Sequence, residues 1–305
     1  MATFLVTGAA GFIGSHLVDS LLASGHAVRG LDDLSTGRME NLDPRCTFLR
    51  GDVADPGAVR AAMEGADGCF HLAAVASVQR GNEDWVGTHR ANQTGTVAVL
   101  DAARAAGRVP VVYASSAAVY GTVEGIATED MPPRPRTAYG ADKLGSELHA
   151  RVGALVHGIS SAGMRFFNVY GPRQDPHSPY SGVISIFARR VAEGAGIVVH
   201  GDGAQTRDFV FVADVVNHLR AAMDKVSAPG AAEAYVFNVC TGRETSIAAL
   251  ASTLGELNGR EPALTHAPAR AGDIARSVGS PETAQAVLGV RADVGLREGL
   301  HTLLT

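Results

Sequence analysis

Apolar and polar positions follow two different rhythms along the first half of the chain. Short apolar runs typical of buried strands occur at Thr3–Thr7, Val28–Leu31, Thr47–Arg50, Gly68–Leu72, Pro110–Ala114 and Ala162–Phe167. Stretches with apolar residues at helical spacing lie between them, at residues 12–24, 56–64, 92–106 and 139–157. Strands that alternate with helices indicate βαβ units, and therefore an α/β fold with a doubly wound parallel sheet covered on both faces.

The pattern loosens after about residue 170. Here the sequence predicts a loop at Pro172–Tyr180, a helix at residues 183–193, and strands at Ile197–His200 and Asp208–Asp214. The last part of the chain carries short elements without a clean alternation. We therefore predict a smaller α/β lobe that is interleaved with the first. Residues 1–168, with about 206–225, form the first domain, and residues 169–305 mainly form the second.

Composition narrows the functional classes. A chain of 305 residues is long enough for two domains or one large one. The formal net charge of −5, without a block of like charge, argues against a nucleic-acid surface or a polybasic membrane patch. We expect no signal peptide, no membrane span and no metal site. The 3 cysteines lie far apart and predict no disulfide framework, which suits a cytoplasmic protein.

A glycine-rich turn joins the first predicted strand to the first predicted helix. Gly8, Gly11 and Gly14 give the spacing GxxGxxG. Glycine lets the backbone approach a pyrophosphate, and the N-terminus of the following helix offers free N–H groups to phosphate oxygens. The alternative interpretation is a tight turn with close packing and no ligand. There is no GxxxxGK[ST] motif, so an NTPase loop is not indicated.

Acidic residues at the ends of the next two strands favour a dinucleotide. Asp32 lies about 20 residues past the turn, where a carboxylate accepts hydrogen bonds from ribose hydroxyls. Its charge would repel a 2′-phosphate, so NAD is favoured over NADP. Asp33 can share that role or serve as a turn residue. Asp52 and Val53 follow the third strand and can meet the adenine, although a plain turn aspartate explains Asp52 equally well.

Tyr139 and Lys143 begin a long predicted helix at i,i+4 spacing, which places both side chains on one face. A phenol near a fixed ammonium ionises more readily, because the cation favours the phenolate. Such a tyrosine can act as a base near neutral pH. The alternative is an ordinary helix pair without a chemical role.

Several motifs occur in one order along the chain. They are TGAAGFIG at residues 7–14, Asp32, HLAA at residues 71–74, Asn92, SSAAVYG at residues 115–121, Tyr139 with Lys143, and RFFNVYGP at residues 165–172. Together they resemble the extended short-chain dehydrogenase/reductase family, and within it the NAD-dependent nucleotide-sugar epimerase/dehydratase branch, most closely its UDP-glucose 4-epimerases. The resemblance runs from residue 3 to about residue 290 and implies a Rossmann-type fold that binds NAD.

The resemblance implies a role for each residue of the reacting centre. Tyr139 would remove the proton of the sugar 4-hydroxyl while hydride leaves C4 for NAD. Lys143 would hold the nicotinamide ribose and lower the tyrosine pKa, and Ser116 would bind the 4-oxygen, with Ser115 as the alternative serine. The residues implied to contact NAD are Gly8, Gly11, Phe12, Ile13, Gly14, Asp32, Asp33, Asp52, Val53, Leu72, Ala73, Ala74, Asn92, Ser115, Tyr139 and Lys143.

Later motifs resemble the family's nucleotide-sugar site. Asn168, Arg207 and Arg270 match residues that meet the diphosphate, and Asp273 matches one that accepts from the uridine ribose. Ser277 stands where glucose-restricted epimerases have a tyrosine, which predicts room for an N-acetyl group.

Two departures bear on the reaction. Dehydratases of this branch carry Asp-Glu just after the serine, where this chain has Ala117 and Ala118. Uronate epimerases carry an arginine in the segment that matches residues 178–183, and none stands there. We therefore expect 4-epimerisation of a neutral UDP-sugar, UDP-glucose/UDP-galactose or the N-acetylated pair. The alternatives are another oxidoreductase of the branch, such as a 4-keto-sugar reductase or dehydratase, or a non-catalytic NAD-binding regulator.

The resemblance also implies a homodimer. Family members pair through the helices that match residues 92–106 and 141–157, which form a four-helix interface. Independently of the resemblance, the large aromatic residue Trp85 is expected in the core.

Overall fold

The computed structural model describes residues 1–175, 182–260, 262–268 and 274–304. Its strands are β1 (Thr3–Thr7), β2 (Ala27–Asp32), β3 (Thr47–Arg50), β4 (Gly68–His71), β5 (Val111–Ser116), β6 (Ser161–Phe166), β7 (Asn168–Tyr170), β8 (Ile197–His200), β9 (Thr206–Arg207), β10 (Phe209–Phe211), β11 (Ala234–Val239), β12 (Thr245–Ser246), β13 (Leu264–Ala267) and β14 (Arg276–Ser277). Its α-helices are α1 (Phe12–Ala23), α2 (Pro56–Met63), α3 (Val78–Glu83), α4 (Trp85–His89), α5 (Gly95–Ala105), α6 (Ala138–His157), α7 (Val183–Ala192), α8 (Val212–Ser227), α9 (Ile247–Leu257), α10 (Glu282–Leu288) and α11 (Leu296–His301).

A seven-stranded parallel sheet forms the centre of the fold, in the spatial order β11, β6, β5, β4, β1, β2, β3. Buried apolar side chains of α1 and α8 pack on one face of the sheet, and those of α2 and α5 pack on the other. The chain moves outward from β1 in both directions, which places the reversal of strand order between β1 and β4. The predicted Rossmann-type, doubly wound fold is confirmed.

The two helices that carry the predicted chemistry have well-defined ends. At the N-terminus of α6, the side chain of Thr137 accepts a hydrogen bond from the Gly140 N–H at 3.0 Å. Its C-terminus is Gly158, whose φ of 69° is the left-handed conformation that glycine adopts most easily. Helix α1 is followed by Gly25 with φ 79°, the stop that the sequence predicts. Both helices are therefore set by local sequence signals.

The segment Asp208–Asp214 differs from its prediction as one strand. Only Phe209–Phe211 is extended, and it pairs with β7 outside the central sheet. The apolar run then continues at helical spacing through Val212, Val215 and Val216, so α8 begins at Val212 and buries this face against the sheet. The valines suggest a strand locally, but their spacing over the next turns fits a helix.

Three other elements depart from expectation. The helix predicted over residues 92–106 begins as a π-helical turn, Arg90–Thr94, before α5 starts. Strand β11 joins the central sheet beside β6, although it lies outside residues 1–168 and 206–225. Trp85 is 69% exposed at the start of α4, so its placement in the core is wrong.

A second, smaller apolar core lies in the later part of the chain. It is formed by buried residues of α7, β8, β10, α9 and α11. Two parallel two-stranded pairings, β7 with β10 and β8 with β13, and a small sheet of β12, β9 and β14 surround it. Among the helices that the structure describes, none is both long and apolar enough to cross a bilayer.

Candidate active site

The glycine turn between β1 and α1 is built so closely that it needs its glycines. Gly8 has φ 69°, and a Cβ atom there would lie 2.7 Å from the Ala73 backbone nitrogen. A Cβ atom on Gly14 would overlap the Gly8 carbonyl oxygen. No side chain in the described part of the chain caps the start of α1, and no acidic residue lies in its first turn. The first N–H groups of α1 therefore form an anion-binding end.

Asp32 lies at the carboxyl end of β2 and faces this turn. Its carboxylate is buried and accepts hydrogen bonds from the Ala10 N–H at 3.0 Å and the Leu34 N–H at 2.8 Å. Burial raises the pKa of Asp32, and these two hydrogen bonds partly offset the effect. Two carboxylate oxygens can accept about four hydrogen bonds. Capacity therefore remains for a ligand.

A cavity of about 300 Å³, the glycine-turn cavity, lies along the carboxyl ends of the central strands. All but one of the predicted cofactor contacts line it, namely Gly8, Gly11, Phe12, Ile13, Gly14, Asp32, Asp33, Asp52, Val53, Leu72, Ala73, Ala74, Ser115, Tyr139 and Lys143. The exception is Asn92, whose buried amide accepts from the Val75 N–H at 2.8 Å and donates to the Val75 carbonyl at 3.2 Å. Asn92 thus holds the backbone of a segment that lines the cavity, a role that its place in a motif did not reveal.

Tyr139 and Lys143 come together on α6 beside the end of β5. The Lys143 Nζ donates to the Ala114 carbonyl at 2.8 Å and lies 5.8 Å from the centre of the Tyr139 ring. The Ser116 side chain is close enough to the Tyr139 phenol to lower its pKa. A tyrosine, a lysine and a serine therefore meet where the helix crosses the strand end.

Burial dominates the electrostatics of this pair. It raises the pKa of Tyr139, and the interaction with the Ser116 side chain partly opposes that rise. Burial also lowers the pKa of the Lys143 ammonium to about 8, against an opposing effect of Asp142. The prediction that Lys143 makes the phenol acidic is wrong for this structure. The ammonium donates to a backbone carbonyl, and burial is the largest cause of the shift in the pKa of Tyr139.

The two adjacent serines have different partners. Ser116 faces Tyr139, whereas the Ser115 hydroxyl donates to Glu147 Oε1 at 2.6 Å. Ser115 contributes to the wall of the glycine-turn cavity, but its hydroxyl is bound behind that wall. Of the two serines, Ser116 is therefore the one whose side chain interacts with Tyr139.

Two further cavities extend from Ser116 toward the second core. The central cavity, about 210 Å³, is lined by residues that include Ser116, Ala117, Ala118, Tyr120 and Ser277. The outer cavity, about 400 Å³, lies between α7 and β8. Asn168 and Arg207 line both cavities, so the two residues mark their junction. Arg207 also donates to the Ile274 carbonyl at 2.6 Å.

Some predicted substrate contacts fall outside the part of the chain that the structure describes, and the sequence analysis missed one charged residue that lines the central cavity. Arg270 and Asp273 lie outside the described residues, as does most of the segment 178–183. Arg276 lines the central cavity beside Ser277 and forms an ion pair with Glu244, Nε to Oε1 2.8 Å. Its position directly before Ser277 was the only available signal. Among the described residues, no three potential metal-ligating side chains come together.

The chain matches a known family over most of its length. A family model described as the NAD dependent epimerase/dehydratase family matches residues 4–240. The chain belongs to this family. It is 41% identical over 304 residues to the UDP-glucose 4-epimerase of Mycolicibacterium smegmatis (strain ATCC 700084 / mc(2)155), a match that covers 97% of this chain and 95% of that protein.

Two solved structures of family members share the whole fold. The UDP-glucose 4-epimerase of Thermotoga maritima, solved with UDP-glucose, has a TM-score of 0.93 and 34% identity. The UDP-glucose 4-epimerase of Thermus thermophilus, solved with NAD, has a TM-score of 0.90 and 38% identity. Each match covers 99% of this chain and 97% of the other.

The cofactor of this family is NAD, and the glycine-turn cavity fits it. The free N–H groups at the start of α1 suit a diphosphate, and a Cβ at Gly8 or Gly14 would collide with the backbone of the turn. The Asp32 carboxylate suits ribose hydroxyls. Tyr139 and Lys143 line the same cavity.

Proposed function

We propose that this protein is a UDP-sugar 4-epimerase that interconverts UDP-glucose and UDP-galactose through transient oxidation at C4. One observation carries the proposal. The side chain of Tyr139, which lines the glycine-turn cavity, interacts with that of Ser116, which lines the central cavity. The proposed base in the glycine-turn cavity thus interacts with a hydroxyl group in the central cavity.

The residues divide the proton chemistry between them. Bound NAD supplies the acceptor, and then the donor, of the C4 hydride. Tyr139 takes the proton of the 4-hydroxyl either directly or by way of the Ser116 hydroxyl, which can both donate and accept a hydrogen bond. Lys143, which lines the same cavity, would keep a positive charge beside the bound cofactor. After the 4-keto sugar has turned over in the site, Tyr139 would return the proton to the 4-oxygen, so that reduction on the opposite face of C4 gives the epimer.

The central cavity argues against elimination. No carboxylate stands among its described lining residues, and Ala117 and Ala118 follow Ser116 there. Removal of a 6-hydroxyl needs an acid and a base at C5 and C6. The proposed reaction needs only the proton transfer at C4, which Tyr139 and Ser116 provide.

We extend the proposal to the substrate, the location and the assembly. Asn168 and Arg207 bind the diphosphate where the two cavities meet, and the outer cavity takes the nucleoside. Residues 169–305 supply most of this nucleotide-sugar lobe, whereas residues 1–168 and about 206–225 bind NAD. The 3 cysteines are all free and buried, which fits the reducing cytoplasm. Exposed apolar residues on α6 support a homodimer with a second copy of the chain.

The test is turnover of UDP-glucose by the purified holoenzyme, followed at C4 by proton NMR. Conversion to UDP-galactose without net consumption of NAD is expected.

Tyr139→Phe should lower kcat by about 10²- to 10⁴-fold. Tyr235→Phe, on the far edge strand β11, is the matched control and should retain activity. Stoichiometric oxidation of NADH would indicate a reductase, and NAD binding without turnover would indicate a regulator. Full activity of Tyr139→Phe would contradict the assigned base.

A further inference from the structure

The catalytic helix contacts the end of β5 at three points, and the third has no assigned role. Tyr139 interacts with the Ser116 side chain, and Lys143 Nζ donates to the Ala114 carbonyl at 2.8 Å. Glu147, one helical turn further on, accepts the Ser115 hydroxyl at 2.6 Å. Residues at i, i+4 and i+8 lie on one face of a helix. The three contacts therefore fix the position of α6 relative to the strand end that carries Ser116.

Glu147 is held in turn by a buried arginine on β6. Arg165 donates from Nε to Oε1 at 2.9 Å and from Nη2 to Oε2 at 2.8 Å, which is a two-point contact. The side chains are only 5% and 7% exposed. Both carboxylate oxygens are thus fixed, and the orientation of Glu147 toward Ser115 is fixed with them.

The guanidinium group of Arg165 also contacts a residue that lines the central cavity. Arg165 Nη1 donates to the Tyr120 hydroxyl at 2.8 Å, and the guanidinium carbon lies 4.7 Å from the centre of the Tyr120 ring. The Tyr120 hydroxyl donates to Asn238 Oδ1 at 2.7 Å. Tyr120 lines the central cavity. One arginine therefore links the wall of that cavity to the strand end at Ser115 and Ser116.

Stability alone does not account for this ion pair. The attraction between two charges removed from water offsets their desolvation only when the geometry is excellent, and apolar side chains of similar size are often as stable or more so. Beyond their mutual contact, both residues bind groups that border the reacting centre, since Glu147 accepts from Ser115 and Arg165 donates to Tyr120. The placement of the pair therefore points to a role in arranging the site.

We propose that Glu147 and Arg165 are positioning residues of the epimerase reaction, and that their ion pair holds Ser116 against Tyr139 while it fixes the Tyr120 wall of the sugar cavity. The inference rests on the proposed function. It assigns no bond-making step to either residue, because neither lines the cavities in which the reaction occurs. Their effect reaches the substrate through Ser115 and Tyr120.

Ser115→Ala is the mildest test, because it removes one hydrogen bond and no charge. We expect kcat to fall about tenfold while KM changes less than about twofold, since a loosened Ser116 affects the transition state more than binding. The acid limb of the kcat–pH profile should move to higher pH, because the interaction with Ser116 lowers the pKa of Tyr139. The substitution does not alter the titratable groups Lys143 and Asp142 on α6 or His89 on α4. A change in the pH profile is therefore assigned to Tyr139.

Ser185→Ala is the matched control. Ser185 is also a buried serine with one intramolecular hydrogen bond, to the Gly182 carbonyl at 2.9 Å, but it lies on α7. It should leave kcat and the pH profile unchanged. Equal effects of the two variants, or a lower kcat in Ser115→Ala with an unmoved pH profile, would mean a merely structural role and would overturn the proposal.

The double variant Glu147→Met/Arg165→Met removes the network without leaving a buried charge unpaired. We expect a Tm and NAD affinity close to those of the unmodified enzyme, with kcat reduced roughly tenfold or more. A folded double variant with unchanged kcat would refute the proposal. If the double variant does not fold, the result for Ser115→Ala alone tests the proposal.

A readout without turnover separates this inference from the proposed function. The ultraviolet titration of Tyr139, taken as the difference between holoenzyme and Tyr139→Phe, reports the phenol directly. The Ser115→Ala holoenzyme should titrate Tyr139 at higher pH. If the unmodified holoenzyme does not epimerise UDP-glucose, the proposed function fails, and this titration still tests the network. An unshifted titration would overturn the network instead.

Discussion

Single residues at this site carry chemistry that burial has altered. The Lys143 ammonium is almost fully buried against the Ala114 carbonyl, and its pKa falls to about 8. The sequence predicted Tyr139 and Lys143 as a pair from their spacing. It did not predict that the pKa of the phenol is raised, nor that Ser115 and Asn92 are turned to Glu147 and Val75. Those outcomes depend on which groups pack nearby in three dimensions.

Lys143→Met should increase stability below pH 8. Unfolding restores the ordinary pKa of 10.5, so between pH 8 and 10.5 the unfolded chain binds more protons than the folded one. The free energy of unfolding of the unmodified protein therefore rises with pH across that window. At pH 7 the variant should be more stable by roughly 2 kcal/mol, allowing for the lost hydrogen bond, and this advantage should shrink toward pH 10.5.

Urea unfolding at pH 7 and at pH 10 measures this difference. Activity should be lost at both pH values, which separates the stability gain from function. A stability difference between the variant and the unmodified protein that is the same at both pH values would contradict the lowered pKa.

Ser277→Tyr should narrow the sugar specificity. Ser277 lines the central cavity of about 210 Å³, so a phenol ring there occupies space that an N-acetyl group would need. We expect kcat/KM for UDP-GlcNAc to fall at least about tenfold relative to UDP-glucose, the size of effect that steric exclusion gives. Ser277→Ala, which stays small, is the control and should turn over both sugars. If the unmodified enzyme does not accept UDP-GlcNAc, the prediction that the cavity beside Ser277 has room for an N-acetyl group is refuted.

At the scale of elements, local signals set the first half of the chain well. Strand β1, its glycine turn and α1 follow from a short apolar run, three glycines and a helical period. The segment Asp208–Asp214 was misjudged, because valines favour a strand locally while α8 is stabilised by burial against the sheet. Periodicity predicts an element best where one local pattern and the tertiary contacts agree.

Gly14→Ala should disrupt the junction of β1 and α1. The added Cβ meets the Gly8 carbonyl, and backbone atoms cannot move aside as a flexible side chain can. We expect a loss of about 2 kcal/mol or more in stability and weaker NAD binding. Gly25→Ala is the control, since its Cβ meets no described atom within 4 Å and only its φ of 79° is unfavourable. It should cost about 1 kcal/mol and leave NAD affinity unchanged. Calorimetric titration measures the NAD affinity of both variants. Equal affinities of Gly14→Ala and Gly25→Ala would contradict the close approach of the Gly14 Cβ to the Gly8 carbonyl.

At the scale of the whole molecule, the central sheet includes a strand that the sequence did not assign to it. Strand β11, from the later part of the chain, completes the central sheet, and α8 covers one of its faces. Parallel pairing between segments about 70 residues apart leaves no local signature, which is why the sequence placed β11 in the other lobe. As a result, the later part of the chain both completes the central sheet and lines the central cavity.

The α5–α6 face should join two copies of the chain. Leu148, Val152, Leu155 and Val156 on α6 are between 47% and 77% exposed, an apolar run that is unusual on the surface of a monomer. Pairing such helices with their symmetry mates buries that surface in a closed, two-fold interface. We expect the unmodified protein to sediment as a dimer at micromolar concentration and Leu155→Glu to sediment as a monomer, because the charge would be buried without a partner. Val287→Glu, at a 42% exposed valine on α10, adds the same charge elsewhere and should leave the dimer intact. A monomeric unmodified protein, or dissociation of both variants alike, would rule out this face as the interface.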